Sequence, residues 1–128
     1  NARGPFLLAR RAFGWMQRTG GGRIINIGSV VSHKGYVNQL AYSASKHALM
    51  GLTKVLAREG QPFGIRCAIV CPGGVDTGMV GDARPDLDRA GLIRPEDVAR
   101  AVIYLATEPA TCCTDELHLR RPGSTPFA

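Results

Sequence analysis

The sequence predicts an α/β fold: a parallel sheet with helices crossing over between its strands. Three observations carry this. Helix and strand patterns alternate along the chain, the arrangement that parallel sheets with crossover helices require. The strand candidates Arg23–Gly28 and Ile65–Cys71 are short, mostly apolar segments rich in β-branched residues, with Arg23 and Asn26 in the first and Arg66 in the second as their polar members, as buried strands require. Glycine or proline closes the first two helices and the second strand.

The elements follow in order. Pro5 to Arg18 carries Phe6, Ala9, Phe13 and Met16 at helical spacing, with Leu8, Ala12 and Trp15 beside them. So wide an apolar arc predicts a helix covered on more than one side. Thr19-Gly20-Gly21-Gly22 stops it, and a short buried strand follows at Arg23–Gly28. A polar loop from Ser29 to Leu40 leads to a second helix over Ala41–Glu59, which Gly60 and Pro62 end. Leu49, Leu52 and Leu56 line one face of that helix; Ala44, Ala48, Gly51 and Val55 form a small-residue face that lets another helix approach closely. Ile65–Cys71 is the next strand. Gly78–Gly91 reads as a flexible segment, with a short helix expected at Pro85–Ala90. Pro95, Glu96 and Asp97 start a third helix through Ala106. Glu116–Leu119 gives a last short strand, and residues 122–128 a loose tail.

Three strands leave long sheet edges, so the pattern predicts half of a larger sheet. The chain of 128 residues opens on Asn1, without Met and within a helix, which predicts a piece of a longer protein. No G-x-G-x-x-G follows a strand; Gly20–Gly22 precede one and act as a helix stop.

Composition narrows the function. Apolar residues make up 45% and charged residues 20%, and no apolar run is long enough for a membrane span. The net charge is +6, but the basic residues are dispersed and no aromatics interleave with them, so no nucleic-acid partner is expected. Cys67, Cys71, Cys112 and Cys113 form no C-x-x-C pair, and His33, His47 and His118 fall at no zinc-ligand spacing, so no metal is expected. No leader or lipidation motif is visible, which makes the cytoplasm the default location.

The most informative stretch is Tyr42-Ser43-Ala44-Ser45-Lys46. Tyr42 and Lys46 lie four apart near a helix start, hence about one turn apart on one face. A phenol of ordinary pKa ~10 is a poor acid–base group at neutral pH. A lysine ammonium on the same face stabilises the phenolate. Ser29 stands thirteen residues before Tyr42, directly after a strand. Residues leaving the carboxyl ends of parallel strands point into the crevice where α/β folds bind ligands. A hydroxyl there can hydrogen-bond a carbonyl and steady the developing alkoxide. Cys71-Pro72-Gly73-Gly74-Val75-Asp76-Thr77 leaves the next strand as a second wall of that crevice.

With these motifs the sequence resembles the second half of a short-chain dehydrogenase/reductase. The family's Y-x-x-x-K matches Tyr42 and Lys46, and its N-I-S-S-like strand end matches Asn26-Ile27-Gly28-Ser29. Its P-G-x-V-x-T matches Pro72 through Thr77, and its N-x-x-G-x-F helix start matches Asn1, Gly4 and Phe6. The resemblance runs from Asn1 to about Leu119.

It implies a Rossmann-like, doubly wound parallel sheet, incomplete because the N-terminal cofactor-binding half is missing. Residues 1–128 would be the C-terminal part of one such domain. It implies hydride transfer between NAD(H) or NADP(H) and a carbonyl or alcohol, with Tyr42 as general acid or base and Ser29 orienting the carbonyl. Lys46 would lower the phenol pKa and bind the nicotinamide ribose, and Asn1 would hold a water linking Lys46 to solvent. Pro72, Gly73, Val75 and Thr77 would meet the nicotinamide end of the cofactor. Val30, Val31, Tyr36, Gly74, Met79 and Val80 would line the substrate pocket. The Thr114–Pro122 stretch resembles members acting on small 3-hydroxy acids and short hydroxy compounds, which favours NADP over NAD; a 3-oxoacyl-carrier-protein reductase is the alternative within the family. Where many members carry a second serine, this chain has Gly28. The helices at 5–18 and 41–59 resemble those through which members form homodimers or homotetramers. A non-catalytic interaction module derived from the family is the other reading.

Overall fold

In the computed structural model, which describes residues 1–83, 85–86 and 88–126, three strands form one parallel sheet in the order β1 (Gly22–Ile27), β2 (Ile65–Pro72), β3 (Glu116–Leu119). The register pairs Gly22 with Ile65 and Ile69 with Glu116. Helix α1 (Arg3–Thr19) precedes β1, and α2 (Leu40–Gly60) carries the chain from β1 to β2. Helices α3 (Gly78–Ala83) and α4 (Pro95–Thr107) lie between β2 and β3. The architecture is the parallel α/β one expected from the alternation of patterns, and it is Rossmann-like, as the resemblance implies.

Strand β2 sits in the middle, and its alternate side chains serve two cores. Ile65 and Cys67 pack with Ala9 of α1 and Leu56 of α2, while Ile69 and Cys71 pack with Leu49 and Met50 of α2. Ala68 and Val70 point the other way, onto Leu105 of α4. Helices on both faces explain why β2 is apolar at every position but Arg66.

Polar side chains lock these layers. Asn26 Nδ2 on β1 donates to Thr53 Oγ1 on α2 at 2.8 Å, and Thr53 Oγ1 donates to the Leu49 carbonyl at 2.8 Å. Arg23 on β1 donates to the carbonyls of Leu105 (2.6 Å) and Glu108 (2.5 Å), filling acceptors that the end of α4 leaves open. At the end of α1 the backbone turns left-handed, with Gly20 at φ +91° and Gly21 at φ +107°. A Cβ on Gly21 would stand 2.5 Å from the Gly64 carbonyl oxygen, so the α1–β1 turn and the turn before β2 need this glycine.

The structure departs from the sequence reading in four places. Residues 78–83, expected within a flexible segment, form a helix: the Thr77 carbonyl accepts from Val80 N–H and Gly81 N–H, and α3 grows from there. Within the helix expected at 85–90, Pro85 and Asp86 form a turn and Arg89–Gly91 a 3-10 turn capped by Asp88, while Leu87 lies outside the described residues. Helix α1 is covered on one side only, because Ala9, Phe13 and Met16 face the core whereas Phe6, Leu8 and Trp15 are exposed. Residues 122–126, expected as loose tail, are a turn in which Arg120 Nη1 bonds the carbonyls of Arg121, Pro122 and Ser124; Phe127 and Ala128 lie outside the described residues.

Candidate active site

The ladder runs one residue past β1, with Gly28 N–H donating to Val70 O at 2.7 Å. Ser29 then departs from the sheet in an extended conformation and caps the 3-10 turn Val30–Ser32. Its Oγ accepts from Val31 N–H at 3.3 Å, and its own N–H donates to Ser32 Oγ at 3.1 Å. This reciprocal pair fixes the loop and leaves the buried Ser29 hydroxyl its proton to donate. Gly28 has a packing reason: a Cβ there would meet Ile69 Cδ1 at 2.8 Å and Cys71 Sγ at 3.0 Å.

On α2, Tyr42 and Lys46 are both half-buried. Lys46 Nζ stands 5.8 Å from the centre of the Tyr42 ring and donates to the Ile27 carbonyl at 2.8 Å. Burial holds the Lys46 pKa below its ordinary value, with Cys71 pulling it partly back up. Ser45, between the two, donates to the Tyr42 carbonyl at 2.7 Å and accepts from Asn1 Nδ2 at 3.4 Å. Asn1 is therefore placed at the turn of α2 that carries Tyr42 and Lys46.

The second wall leaves β2. Gly73 N–H donates to Leu119 O at 2.8 Å, and Val75 pairs with Ile93 through Asp76 N–H to Ile93 O (2.8 Å) and Ile93 N–H to Gly74 O (3.0 Å). Pro72 is buried, Val75 half-buried and Thr77 exposed, with Thr77 Oγ1 3.5 Å from the Val75 carbonyl. A Cβ built on Gly73 would lie 4.0 Å from Val30 Cγ1, so the two loops meet as opposite walls of one crevice. A cavity of 710 Å³ opens there toward β3, bordered by Val30, Tyr36, Gly73, Gly74 and Arg121. Its border does not include Ser29, Tyr42 or Lys46. Val31 is turned inward and only 3% exposed, while Met79 is exposed and Val80 half-buried on α3; none of the three borders that cavity.

Residues 1–88 match the family model described as short chain dehydrogenase. The chain belongs to the short-chain dehydrogenase family. It is 38% identical over 119 residues to acetoacetyl-CoA reductase of Rhizobium meliloti (strain 1021), a match covering 86% of this chain and 49% of that relative. Among solved structures it is similar to acetoin dehydrogenase YohF from Salmonella typhimurium, with TM-score 0.77 and 38% identity over 91% of this chain and 49% of that one. It is also similar to ElxO with NADP bound, with TM-score 0.80 and 28% identity over 91% of this chain and 52% of that one. The chain thus spans about half the length of the relatives it matches. Among the described residues of this short-chain dehydrogenase, no helix is long and apolar enough to cross a membrane.

The structure also brings together residues that sequence patterning did not single out. His33, Cys71, Glu116 and His118 converge on one carboxylate oxygen: Glu116 Oε1 contacts His33 Nε2, lies 2.8 Å from His118 Nε2 and 3.5 Å from Cys71 Sγ. Burial pulls the Glu116 pKa up, but the hydrogen bond and charge of His33, with Cys71 and His118, outweigh it and leave it below its ordinary value. Burial first, and Glu116 next, push Cys71 up to about 11. These four residues come from one loop and two strands, so no sequence spacing signals them.

Proposed function

We propose that this chain supplies the catalytic half of a nicotinamide-dependent oxidoreductase acting on a small carbonyl or alcohol in the cytoplasm. The observation that carries the reading is Lys46. Its ammonium is held to the carbonyl at the end of β1, one helical turn from Tyr42, beside the strand end that delivers Ser29.

The residues present fit the nicotinamide–ribose end of such a cofactor. Lys46 spends one of its N–H donors on Ile27 and keeps two that a ribose diol would accept. Tyr42 shares that face, and Pro72, Gly73, Val75 and Thr77 wall the crevice opposite. When bound, the cofactor supplies or receives the hydride. Tyr42 would give its phenolic proton to the carbonyl oxygen in reduction and take it back in oxidation. The Lys46 charge favours the phenolate that this leaves. Ser29 would donate its free hydroxyl hydrogen to the same oxygen, stabilising its developing charge. Asn1, reaching Ser45, would hold a water that returns a proton toward Lys46. The ElxO structure, with NADP bound, supports a nicotinamide cofactor, for which we favour NADP. Val30, Tyr36 and Gly74 would contact the substrate from the cavity wall, with Val31, Met79 and Val80 outside them. The acetoacetyl-CoA reductase and acetoin dehydrogenase relatives support a short oxo or hydroxy compound as substrate.

Tyr42→Phe in the full-length protein tests this. Turnover should fall at least ~100-fold, the scale of lost general acid catalysis, with an unchanged thermal melt. Retained turnover overturns the assignment.

One observation favours a second reading, an interaction module. Ala44, Ala48, Gly51 and Val55 are exposed on α2, and Phe6, Leu8 and Trp15 are exposed on α1. Such apolar faces suit packing against a second copy, as a homodimer or homotetramer. Assembly is compatible with catalysis; an assembled wild-type protein without turnover on any short carbonyl would favour the module alone.

A further inference from the structure

We propose that the cluster beneath the Ser29 loop is a site for a divalent transition metal of the zinc class, with His33 Nε2, Cys71 Sγ, Glu116 Oε1 and His118 Nε2 as its ligands. Three of these atoms, from His33, Cys71 and Glu116, already lie within 4.8 Å of one another. His118 Nε2 is 2.8 Å from the same carboxylate oxygen, and its ring centre is 4.9 Å from that of His33. In a tetrahedral zinc site with bonds of about 2.0–2.3 Å, neighbouring ligand atoms stand about 3.3–3.7 Å apart. Side-chain rotations would close that difference: Cys71 pairs with His118 across β2 and β3, Glu116 lies two residues before His118, and His33 reaches the same carboxylate oxygen from the loop.

The donor chemistry selects the metal class. An ion pair between His33 and Glu116 would need neither the thiol nor the second imidazole. Two imidazoles, a thiol and a carboxylate meeting at one point are the ligands that zinc and its neighbours prefer, not those of calcium or magnesium. Charge balances as well. One thiolate and one carboxylate neutralise a divalent cation, with both imidazoles neutral, so the occupied site adds no net charge to a half-buried position.

Binding would be a proton exchange without redox change. The Cys71 S–H loses its proton to solvent and its sulfur forms the metal bond. Each imidazole presents its Nε2 lone pair and keeps its proton on Nδ1. Burial and Glu116 keep the Cys71 thiol protonated against the opposing bonds from the Ser29 N–H and the Ser32 hydroxyl, so it is the charge of the cation that would favour the thiolate. The two imidazoles give the ion access from solvent. The His33 and His118 side chains are 36% and 55% exposed, whereas Cys71 is fully buried. A bound ion would tie the loop after Ser29 to both β2 and β3. The site uses none of the residues assigned to hydride transfer as ligands, so it stands independently of that reading.

The test uses the full chain with Cys112→Ser and Cys113→Ser, which removes the exposed thiols. Chelator-treated protein is titrated with Co²⁺ and then with Zn²⁺. The expected result is one equivalent of Co²⁺ with tetrahedral d–d bands and a thiolate-to-cobalt charge-transfer band, displaced by Zn²⁺. Cys71→Ser should abolish the charge-transfer band. His33→Ala, at an exposed loop position where folding is not at stake, should weaken binding at least ~10-fold; His118→Ala should do the same. Absence of stoichiometric uptake, or uptake that His33→Ala and His118→Ala leave unchanged, overturns the proposal.

Discussion

Lys46 donates to the main-chain oxygen of Ile27 at 2.8 Å, so the helix after β1 is pinned to the last residue of that strand by a charged side chain. The bond fixes where the ammonium sits relative to Tyr42, 5.8 Å from its ring centre. A positive charge held by the backbone of a strand end cannot drift with the helix surface. It also carries a cost, since half-burial disfavours the charged form.

On the proposed function, that cost predicts how activity would behave at alkaline pH. The folded Lys46 has its pKa below the ordinary 10.5, so it loses its charge before an exposed lysine would. Activity that depends on this charge falls on an alkaline limb below 10.5. Lys46→Arg keeps the charge through that range and should move the limb upward while lowering kcat, because the planar guanidinium does not reproduce a point donor. A kcat–pH profile of the two proteins reads the difference. Identical limbs would separate Lys46 from the step.

The acid limit of stability is set by carboxylates. The Thr114 hydroxyl bonds Glu108, and despite the opposing effect of burial, the Thr114 N–H, Arg23 and Arg66 help hold its pKa below 4.5. Glu116 is likewise depressed. Lowered folded values mean stabilisation that is complete above the unfolded pKa and lost as pH falls through the folded one. On the acid side, denaturation midpoints should therefore drop as the pH falls below 4.5. Glu108→Gln should lower the midpoint at neutral pH and make the acid drop shallower.

Thr53→Val keeps the side-chain shape but leaves Asn26 Nδ2 without its 2.8 Å acceptor. A lost hydrogen bond with an abandoned, partly buried donor costs about 1–2 kcal/mol. Urea denaturation should show that loss, and Thr53→Ser should restore much of it. Equal stability of the valine variant and the wild type would mean that water replaces the bond freely.

Gly20 and Gly21 separate backbone preference from steric room. Both have positive φ, but a Cβ on Gly20 meets nothing within 4 Å, whereas one on Gly21 runs into the Gly64 carbonyl. Gly20→Ala should cost about 1–2 kcal/mol for the left-handed conformation alone. Gly21→Ala should cost more than that, since the turn beside Gly64 must also move. Paired thermal melts give both values, and the ordering is the test.

Much of this was legible in the sequence, and the parts that were not share a cause. The alternation of Arg23–Gly28, the long second helix and Ile65–Cys71 is local patterning, and the three strands and helices α1, α2 and α4 fall within a residue or two of expectation. The Tyr42–Lys46 spacing is local too, since one helical turn sets it. Helix α3 escaped because glycines at both Gly78 and Gly81 read as loop, while its start depends on the Thr77 carbonyl. The substitution at Gly28 was visible, but not that Ile69 and Cys71 occupy the space a side chain would need. The cluster around Glu116 was invisible in the same way: only the register of β2 against β3, and the loop laid over them, brings its members together.

The register has one more consequence, and it concerns time. Gly22 meets Ile65 and Ile69 meets Glu116, partners more than forty residues apart along the chain. No rung of this sheet can form until a loop of that length has closed, and closure entropy is lost before any pairing offsets it. Helices α2 and α4 can form early and shorten those loops, but β2 must wait for both neighbours. Refolding should therefore proceed on the slow side for a chain of this length, with helical circular dichroism recovering ahead of the burial of Val70 and Cys71.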